Sequence, residues 1–526
     1  MIGGGYSNTA SQTYGTIGGG YANSASQSYS TIGGGNQNVT SGQYSTAGGG
    51  SYNRARGDYS TVAGGGGAST ADSNSAMGNY SVIGGGKRNS AGALHATIAG
   101  GSHATASGPY SFMGSGSDNT ASGGHSIIVG GQGNLSSGNY AIVGGGTYNT
   151  AGGQSSIVGS GDYNAASQNY STIGGGYQNS ASQTYTTIAG GSYNISSGQY
   201  SFVGGGNNNR ARGYSSVVVG GGGYLAADTN SAMGQSSTIG GGRRNSAAGN
   251  AATIGGGYWN TASGDYSAVP GGNYNIAEGP ASVAMGQRAQ ALHIGSFVWS
   301  DASGMEFAST ADNQFLIRAA GGVGIGTNSP NDLLDVNGFM RIGSHAGGGA
   351  ALRITDANQL KWTFLYRPWV DSSLTILDDR YSINVMTFQR ATGNVGIGNT
   401  APAYKLDVSG SCHASSFPTS SDERLKTNVE PLTKVLDKLD KIRGVSFDWN
   451  STYEAMGRST GHREIGVIAQ EVEAQFPELV TTWGDEHYRA VDYGRLSAVL
   501  IEAVKELKAE NQTLKNRIDA LEKKQR

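Results

Sequence analysis

A sequence repeat with a period of 15 is the feature that most constrains how this chain folds. The motif Ile-Gly-Gly-Gly, or a close variant, returns with that spacing along residues 1–290, and we call its first residue the lead residue. Two steps have a length of 21 instead, and both contain nearly the same insert, "ADSNSAMG" from Ala71 and "ADTNSAMG" from Ala227, 156 positions apart. This spacing indicates that a block of repeats was duplicated as a unit. The lead residues are Ile2, Ile17, Ile32, Ala47, Val62, Ile83, Ile98, Met113, Ile128, Val143, Val158, Ile173, Ile188, Val203, Val218, Ile239, Ile254 and Val269.

Three further positions keep phase with the lead residue. Asn follows it by six residues, a small residue by eight and often Tyr by twelve, as in Asn8, Ala10 and Tyr14. A period of 15 matches no helical heptad, but it fits a solenoid coil of two short strands and two turns. Alternation in "TYGTI" places Ile17 on the inner face and Tyr14 and Thr16 on the outer face, while the other strand offers only Ala10 to the interior.

Each coil is therefore predicted to bury one medium and one small side chain. Gly supplies turns with positive φ, and Asn tolerates the same region. Stacked Asn side chains are also predicted to form a hydrogen-bonded ladder. About 19 coils at ~4.8 Å would make a rod on the order of 90 Å long. So thin a core predicts that several copies pack side by side.

Disorder, nucleotide binding and metal binding each fit the Gly-rich part less well than a solenoid does. A disordered low-complexity segment would not keep regular Ile, Val and Tyr phases. "GGGKRNS" at Gly84 lacks the ending of a phosphate-binding loop, and no helical pattern follows it. His95 and His125 occupy Tyr positions, which indicates repeat variants, and His103 is equally isolated, so no metal-ligand spacing is present.

Charge and composition change near residue 421. Residues 421–526 hold 36 of the 70 charged residues but only 6 of the 90 glycines. A net charge of −2 without a basic patch argues against nucleic-acid binding. The single cysteine, Cys412, cannot form an internal disulfide. No apolar run approaches the roughly 18 residues that a membrane span needs.

Residues 291–420 are predicted to form a β-rich connector. "QFLIRA", "LKWTFLY", "SLTILDD" and "INVMTF" have the alternation of strands. "GGVGIGTNSPNDLLDVNG" at Gly321 returns as "GNVGIGNTAPAYKLDVSG" at Gly393, and turns rather than a helix follow each glycine cluster, which argues against a dinucleotide site. This segment resembles those that precede a C-terminal chaperone in tail-fibre-like proteins.

Residues 421–526 are predicted to be a globular domain that ends in a long helix. "PLTKVLDKLDKI" has helical spacing, "VSFDW" a strand pattern, and "IGVIAQEVEAQFPEL" a strand followed by a helix. From about Tyr493 leucines recur at every seventh position, with Asn511 at one alternate core position, which is typical of a coiled coil. The alternative is an amphipathic helix docked on its own domain. The heptad leucines are Leu500, Leu507, Leu514 and Leu521.

The stretch "SSDERLK", which begins at Ser420, has two interpretations. Ser420 and Glu423 have the spacing of a capping box at a helix start. Ser421 and Lys426 instead combine a hydroxyl nucleophile with a candidate base, since a lysine can accept a proton when burial makes it neutral. A spacing of five is wrong for one helix face. This pair can therefore meet only if a turn precedes or interrupts the helix.

Two resemblances extend these predictions. Residues 1–290 resemble the head repeats of trimeric autotransporter adhesins, the YadA-type left-handed β-roll, which implies a parallel homotrimer. "SSDERLKTNVEPL" through "VDYGRLSAVLIEAVKELKAE" closely resembles the intramolecular chaperone auto-processing domain of endosialidases and phage tail fibres. That resemblance implies a trimeric chaperone that assembles an upstream β-fibre and then cuts itself off.

The family's motif falls on Ser421, Asp422, Arg424 and Lys426. It implies cleavage between Ser420 and Ser421, with Ser421 and Lys426 as catalytic residues and Asp422 and Arg424 as supporting residues.

We therefore expect a mainly β fold. A trimeric β-solenoid rod occupies residues 1–290, the connector residues 291–420, and an α+β chaperone domain residues 421–526, with a coiled coil at about residues 494–524. The expected function is a structural homotrimeric fibre or adhesin on a virion tail or a cell surface. A host-surface glycan or protein is its candidate receptor.

Self-cleavage would be a single-turnover reaction in cis, without cofactor, metal, nucleic acid or membrane insertion. The alternatives are a bacterial surface adhesin without cleavage and a fibre-borne glycan hydrolase. The second alternative is disfavoured because residues 1–420 contain no clustered set of acids, tyrosine and arginine.

Overall fold

The computed structural model describes residues 1–340, 350–356, 359–367, 373–378, 383–415, 419–456, 461–483 and 486–525. The chain divides into two compact units, Met1–Asn337 and Gly338–Arg526. The first unit is a long parallel β-solenoid, and the second contains a β-sheet followed by a small α+β domain. The predicted mainly β fold with a solenoid of 15-residue coils is confirmed.

Two parallel ladders of very short strands build the solenoid. The lead ladder, which contains the lead residues, runs from Thr16–Ile17 to Phe315–Arg318. The alanine ladder runs from Thr9–Ala10 to Phe307–Ala308. Strands of successive coils pair at the period of the sequence, as Ile17 does with Ile32. The sequence repeat thus corresponds to a repeat of the backbone hydrogen bonds between coils.

Both ladders keep their register across the two longer steps. Arg54 pairs with Ser75 across the first insert, and Arg210 with Ser231 across the second. The extra residues form short 3₁₀ turns at Thr70–Asp72 and Ala226–Asp228. The strands lengthen only near the end of the unit, at Val283–Gln287, Ala289–Ala291, Phe297–Ser300 and Phe315–Arg318, before a parallel pair at Val323–Ile325 and Leu334–Val336.

The interior of the solenoid is narrow. Ile17 and Ala25 are fully buried, so the prediction of one medium and one small apolar side chain per coil is confirmed. Most coils bury two polar side chains as well, as Asn23 and Ser30 show, and alanine takes one of these positions at Ala96, Ala104, Ala141 and Ala252. The Ser30 hydroxyl donates to the carbonyl of Gln27 at 2.7 Å, which satisfies its hydrogen-bonding group inside the turn.

The buried asparagines form the predicted hydrogen-bonded ladder. The side-chain amide of Asn38 donates to Gly34 of its own coil and to Gly50 of the next, both at 2.9 Å. Its oxygen accepts the backbone N–H of Asn53 at 2.9 Å. One side chain therefore satisfies backbone groups that the turns of a thin roll would otherwise leave unpaired.

Positive φ is distributed differently from the sequence-based prediction. The third glycine of each motif has positive φ as predicted; at Gly20, where φ is +99°, an added Cβ would lie 2.1 Å from the Gly35 carbonyl oxygen. The ladder asparagines, however, are not in this region. The tyrosines are, with φ of 60° at both Tyr14 and Tyr29. Asn does occupy the positive-φ region at Asn208 and Asn313, outside the ladder.

The tyrosine position forms a column of stacked rings on the outer surface. Tyr29 and Tyr44 stack with centroids 4.7 Å apart, the spacing set by neighbouring strands. His95 and His125 stand in the same column, each stacked on tyrosines at 4.8–4.9 Å. Both histidines are therefore repeat variants, as predicted, and His103 lies in a different column.

The second unit begins with a six-stranded sheet. Its strands are β1 (Ala350–Asp356), β2 (Gln359–Arg367), β3 (Ser373–Asp378), β4 (Ile383–Gln389), β5 (Val395–Ile397) and β6 (Leu406–Val408). Neighbouring strands are antiparallel except for the last pair, β5 and β6, which is parallel. The strands predicted in this segment are confirmed.

The α+β domain follows. Its strands are β7 (Gly444–Phe447), β8 (Glu464–Val467), β9 (Val480–Trp483) and β10 (Tyr488–Val491), and its helices are α1 (Val435–Leu439), α2 (Ser451–Ala455), α3 (Ala469–Gln475) and α4 (Tyr493–Gln525). β7 pairs with β8 and β9 with β10, both antiparallel. A single small core joins the helices through Val435, Val472, Phe476, Leu479, Val499 and Ala503.

Helix α4 has two different parts. Its beginning packs on the domain core through Val499 and Ala503, which are 3% and 6% exposed. Further along, Leu507, Leu514 and Leu521 are 48%, 52% and 60% exposed. The docked-helix alternative thus describes only the first turns, and the heptad stripe is uncovered in the single chain. No described helix is long and apolar enough to cross a membrane.

Candidate active site

The segment "SSDERLK" forms a tight turn rather than the start of an α-helix. Glu423–Leu425 is a single 3₁₀ turn. Its N-terminal cap is Asp422, whose carboxylate accepts the backbone N–H of Arg424 at 2.9 Å. The cap is therefore not Ser420, and the capping-box interpretation does not describe this turn.

The turn brings Ser421 and Lys426 together. Lys426 Nζ donates to Ser421 Oγ at 2.9 Å. A continuous α-helix would separate the two side chains, because about 3.6 residues make one turn and a spacing of five falls on another face. The 3₁₀ turn closes that gap, and the candidate nucleophile and base are in direct hydrogen-bond contact.

Asp422 and Arg424 hold the turn from outside. Arg424 Nη2 lies 2.6 Å from Asp422 Oδ2, and Arg424 Nε lies 3.1 Å from Oδ1. The Arg424 side chain and its backbone N–H both lower the pKa of the Asp422 carboxyl below its ordinary value. The same contact raises the pKa of the Arg424 guanidinium. This fork fixes two of the residues that lie between Ser421 and Lys426 in the turn.

The turn is open to solvent in one chain. Ser420, Ser421 and Lys426 are all exposed, and Leu425 is 77% exposed. An exposed apolar side chain beside a candidate nucleophile leaves an uncovered surface at the site. Whether Lys426 can act as a base toward Ser421 therefore depends on which residues cover this surface.

The described residues offer no competing metal centre. Within those ranges no group of three His, Cys, Asp or Glu side chains is placed to bind a metal ion. Cys412 is a free, exposed thiol.

Two features of the second unit were not predicted. Tyr404, in the loop between β5 and β6, donates its hydroxyl hydrogen to the carbonyl of Thr482 in β9 at 3.1 Å, which ties this loop to the α+β domain. A cleft of about 700 Å³ in the same domain is lined by Phe447, Trp449, Trp483 and Tyr488, among others. The signal for the cleft is present in the sequence, since aromatic residues concentrate in the short strands of this domain.

The α+β domain that contains the turn has a counterpart among known protein families. Residues 421–481 match the family described as chaperone of endosialidase. The resemblance predicted for the C-terminal region is thus confirmed, and the chain carries such a domain.

Relatives place this domain in a particular kind of protein. The long tail fiber protein Gp37 of Enterobacteria phage K3 is 34% identical over 101 residues, which cover 19% of this chain and 8% of that protein. The corresponding protein of Enterobacteria phage T2 is also 34% identical over 101 residues, covering 19% of this chain and 7% of that protein. This chain therefore matches less than a tenth of the length of these curated relatives.

Proposed function

We propose that this chain is a structural fibre of a virion tail. In this proposal its C-terminal domain promotes assembly of a homotrimer and is then released by self-cleavage between Ser420 and Ser421. The chaperone domain and the tail-fibre relatives support the fibre role, and a solenoid with stacked coils suits an extended structural element. The observation that carries the cleavage step is the 2.9 Å contact between Lys426 Nζ and Ser421 Oγ.

The reaction proceeds through an ester. Ser421 Oγ attacks the carbonyl carbon of Ser420, the residue before it, while a neutral Lys426 amine accepts the hydroxyl proton. The C–N bond then breaks, and Lys426 returns that proton to the departing amine of Ser421. Water hydrolyses the ester, which leaves a carboxylate on Ser420 and restores the Ser421 hydroxyl. Covalent adjacency already supplies proximity, so the protein needs to supply only orientation and a base.

Coupling to assembly follows from exposure. A lysine amine accepts a proton only when neutral, and desolvation favours that form. Ser421, Leu425 and Lys426 are exposed in one chain, so neighbouring copies must cover the turn before the base is active. Cleavage then marks completed assembly and makes it irreversible.

Expression of the full chain and three variants tests this proposal. Wild type should yield a small fragment of residues 421–526 that begins with Ser421, whereas Ser421→Ala and Lys426→Ala should each remain a single chain of 53.7 kDa. Ser421→Cys should still be cut, because a thiol also attacks the adjacent carbonyl. Gel electrophoresis and N-terminal sequencing of the small fragment provide the measurements.

Two controls separate the chemistry from the fold. Thr427→Ala alters the adjacent side chain without touching the proposed pair and should be cut normally. Hydroxylamine should convert the ester of the wild-type chain to a hydroxamate on Ser420, which mass spectrometry detects. Normal cutting of Ser421→Ala, or a fragment that begins at another residue, would show that the turn is only structural.

A further inference from the structure

Four consecutive coils near the end of the solenoid place arginine and aromatic side chains at equivalent positions. Arg244, Trp259, Tyr274 and Arg288 form what we call the arginine–aromatic stack. The rings of Trp259 and Tyr274 stack with centroids 5.5 Å apart. Arg244 Cζ lies 5.0 Å from the Trp259 ring centroid, and Arg288 Cζ lies 5.1 Å from that of Tyr274. The two guanidinium groups thus cover the outer faces of a ring pair.

A third arginine stands in the neighbouring row. Arg243 Cζ lies 4.9 Å from the Tyr258 ring centroid, and the Arg243 side chain is 52% exposed. Asp228, whose side chain is 6% exposed, pairs with Arg244 at 2.8 Å and reaches Arg243 only at 4.0 Å. Arg288 has no carboxylate within 4.0 Å among the residues that the structure describes. One carboxylate, Asp228, thus serves Arg244 and reaches Arg243 only weakly, and the guanidinium charge of Arg288 is left without an ion-pair partner among the described residues.

The stacked geometry leaves Arg243 and Arg288 prepared to bind anions, whereas Arg244 already donates to Asp228 at 2.8 Å and to the Tyr258 hydroxyl at 3.1 Å. A guanidinium group stacked on a ring uses its face, so its N–H donors remain free in its own plane and its orientation is already restricted. Such a planar fork suits the two oxygens of a carboxylate. Arg243 and Arg288 are separated by three strand spacings, about 14 Å. A ligand that meets both must carry repeated anionic groups along a chain.

The duplicated block shows that the coil does not require this chemistry. Arg88 occupies the place of Arg244 in the earlier block, 156 positions before it, but His103 and Asp118 replace the two stacked rings. Arg88 donates to Asp72 and contacts His103 Nε2, both at 2.9 Å. The charge of Arg88 is thus neutralised within the protein. Arg244 is paired with Asp228 in the same way, so the two blocks differ in the stacked rings and not in this ion pair.

We propose that the arginine–aromatic stack, together with Arg243, binds an acidic polysaccharide through the carboxylates of successive sugar units. The free guanidinium edges bind the carboxylates, and the ring edges between them contact the apolar faces of the sugars. Charge complementarity, the spacing of the free arginines and 48% exposure of Trp259 support this ligand class. The inference goes beyond the proposed fibre and cleavage functions, because it assigns a receptor-type site to the solenoid itself.

Binding of polygalacturonate to the full chain tests the inference. We expect saturable binding at low ionic strength, and at least tenfold weaker binding for Arg288→Gln, Arg243→Gln and Trp259→Ala. Lys87→Gln is the matched control, since Lys87 stands in the earlier block where Arg243 stands in the later one, and its binding should equal that of wild type. Dextran, a neutral polymer, should not bind.

Several outcomes would overturn the inference. These are no binding of polygalacturonate by wild type, equal weakening in Lys87→Gln, comparable binding of dextran, or a preference for polyphosphate over polygalacturonate. Circular dichroism and the melting temperature confirm that each variant is folded. The readout is binding, so a chain that fails to cleave still reports on this surface.

Discussion

At the scale of single residues, one asparagine per coil organises the solenoid. The side chain of Asn164 reaches carbonyl groups in two coils and accepts a backbone N–H from a third position. The apolar interior is only one Ile or Val and one Ala wide. The hydrogen bonds of the asparagines thus contribute to this fold alongside apolar burial, since each orphaned buried group costs about 1–3 kcal/mol.

Asn164→Ala tests this role. We expect the variant to lose about 1–3 kcal/mol of local stability, because the Ser160 carbonyl and the backbone N–H of Asn179 lose their partner, while the Gly176 carbonyl keeps only the N–H of Asp162. Amide hydrogen exchange around Asn179 is the measurement. Asn169→Ala, in the same coil, removes one exposed acceptor bonded to the N–H of Gln154 and should change exchange little. Equal exchange in the two variants would contradict the role of the ladder.

At the scale of elements, a glutamate of helix α4 caps the N-terminus of helix α1, which lies about 70 residues earlier in the chain. Glu506 accepts the backbone N–H groups of Val435 and Leu436 at 3.0 and 2.9 Å. These N–H groups lower the pKa of the Glu506 carboxyl below its ordinary value. Because the folded-state pKa is lowered, the stability that Glu506 contributes is present above its unfolded value and is lost as pH falls through the folded value.

Glu506→Gln should therefore destabilise the α+β domain at neutral pH and remove part of its acid sensitivity. Urea unfolding at pH 7 and at pH values below the ordinary glutamate range of about 4.3 measures both effects. Glu510→Gln, one turn later on an exposed part of α4, is the control and should retain the wild-type pH dependence. An unchanged pH dependence in Glu506→Gln would show that the cap contributes nothing.

Elements also show what the sequence could and could not predict. The 15-residue period determines the coil, because only a repeating hydrogen-bond register gives each Ile the same buried position. The tyrosine conformation is invisible in the pattern, since positive φ at Tyr14 is favoured by the turn and by ring stacking rather than by the residue itself. The contact of Ser421 with Lys426 was equally undetermined, because a spacing of five does not specify a 3₁₀ turn. Helix α1 is shorter than its apolar spacing predicts, as it begins only at Val435.

At the scale of the whole molecule, we propose that the exposed stripe of α4 and the thin solenoid pack against further copies of the chain. The Ser421→Ala variant should remain uncut. We therefore expect it to sediment as a trimer of 53.7 kDa chains. Leu507→Asp combined with Leu514→Asp should weaken that trimer, because it places charges in the heptad seam. Sedimentation equilibrium measures the mass. A monomer of Ser421→Ala would contradict trimerisation.

Deletion tests the chaperone role. A chain of residues 1–420 produced without the C-terminal domain should aggregate, because long-range β-pairing is slow and exposes strand edges. Ser421→Ala is the matched control, since it keeps the domain without releasing it. Size-exclusion chromatography and electron microscopy distinguish the two. Normal assembly of the 1–420 chain would show that the domain is dispensable.

The constant register of the solenoid has a consequence for heredity. Each coil bonds only to its two neighbours, in most cases at an offset of 15 residues, so an insertion or loss of whole coils leaves every remaining pairing unchanged. DNA segments that encode near-identical coils misalign during recombination. An in-frame exchange between two misaligned segments then yields a longer or shorter rod that still folds. The duplicated block of coils is the trace of one such event. Selection can therefore lengthen or shorten this protein one coil at a time, because each remaining coil keeps the same fold.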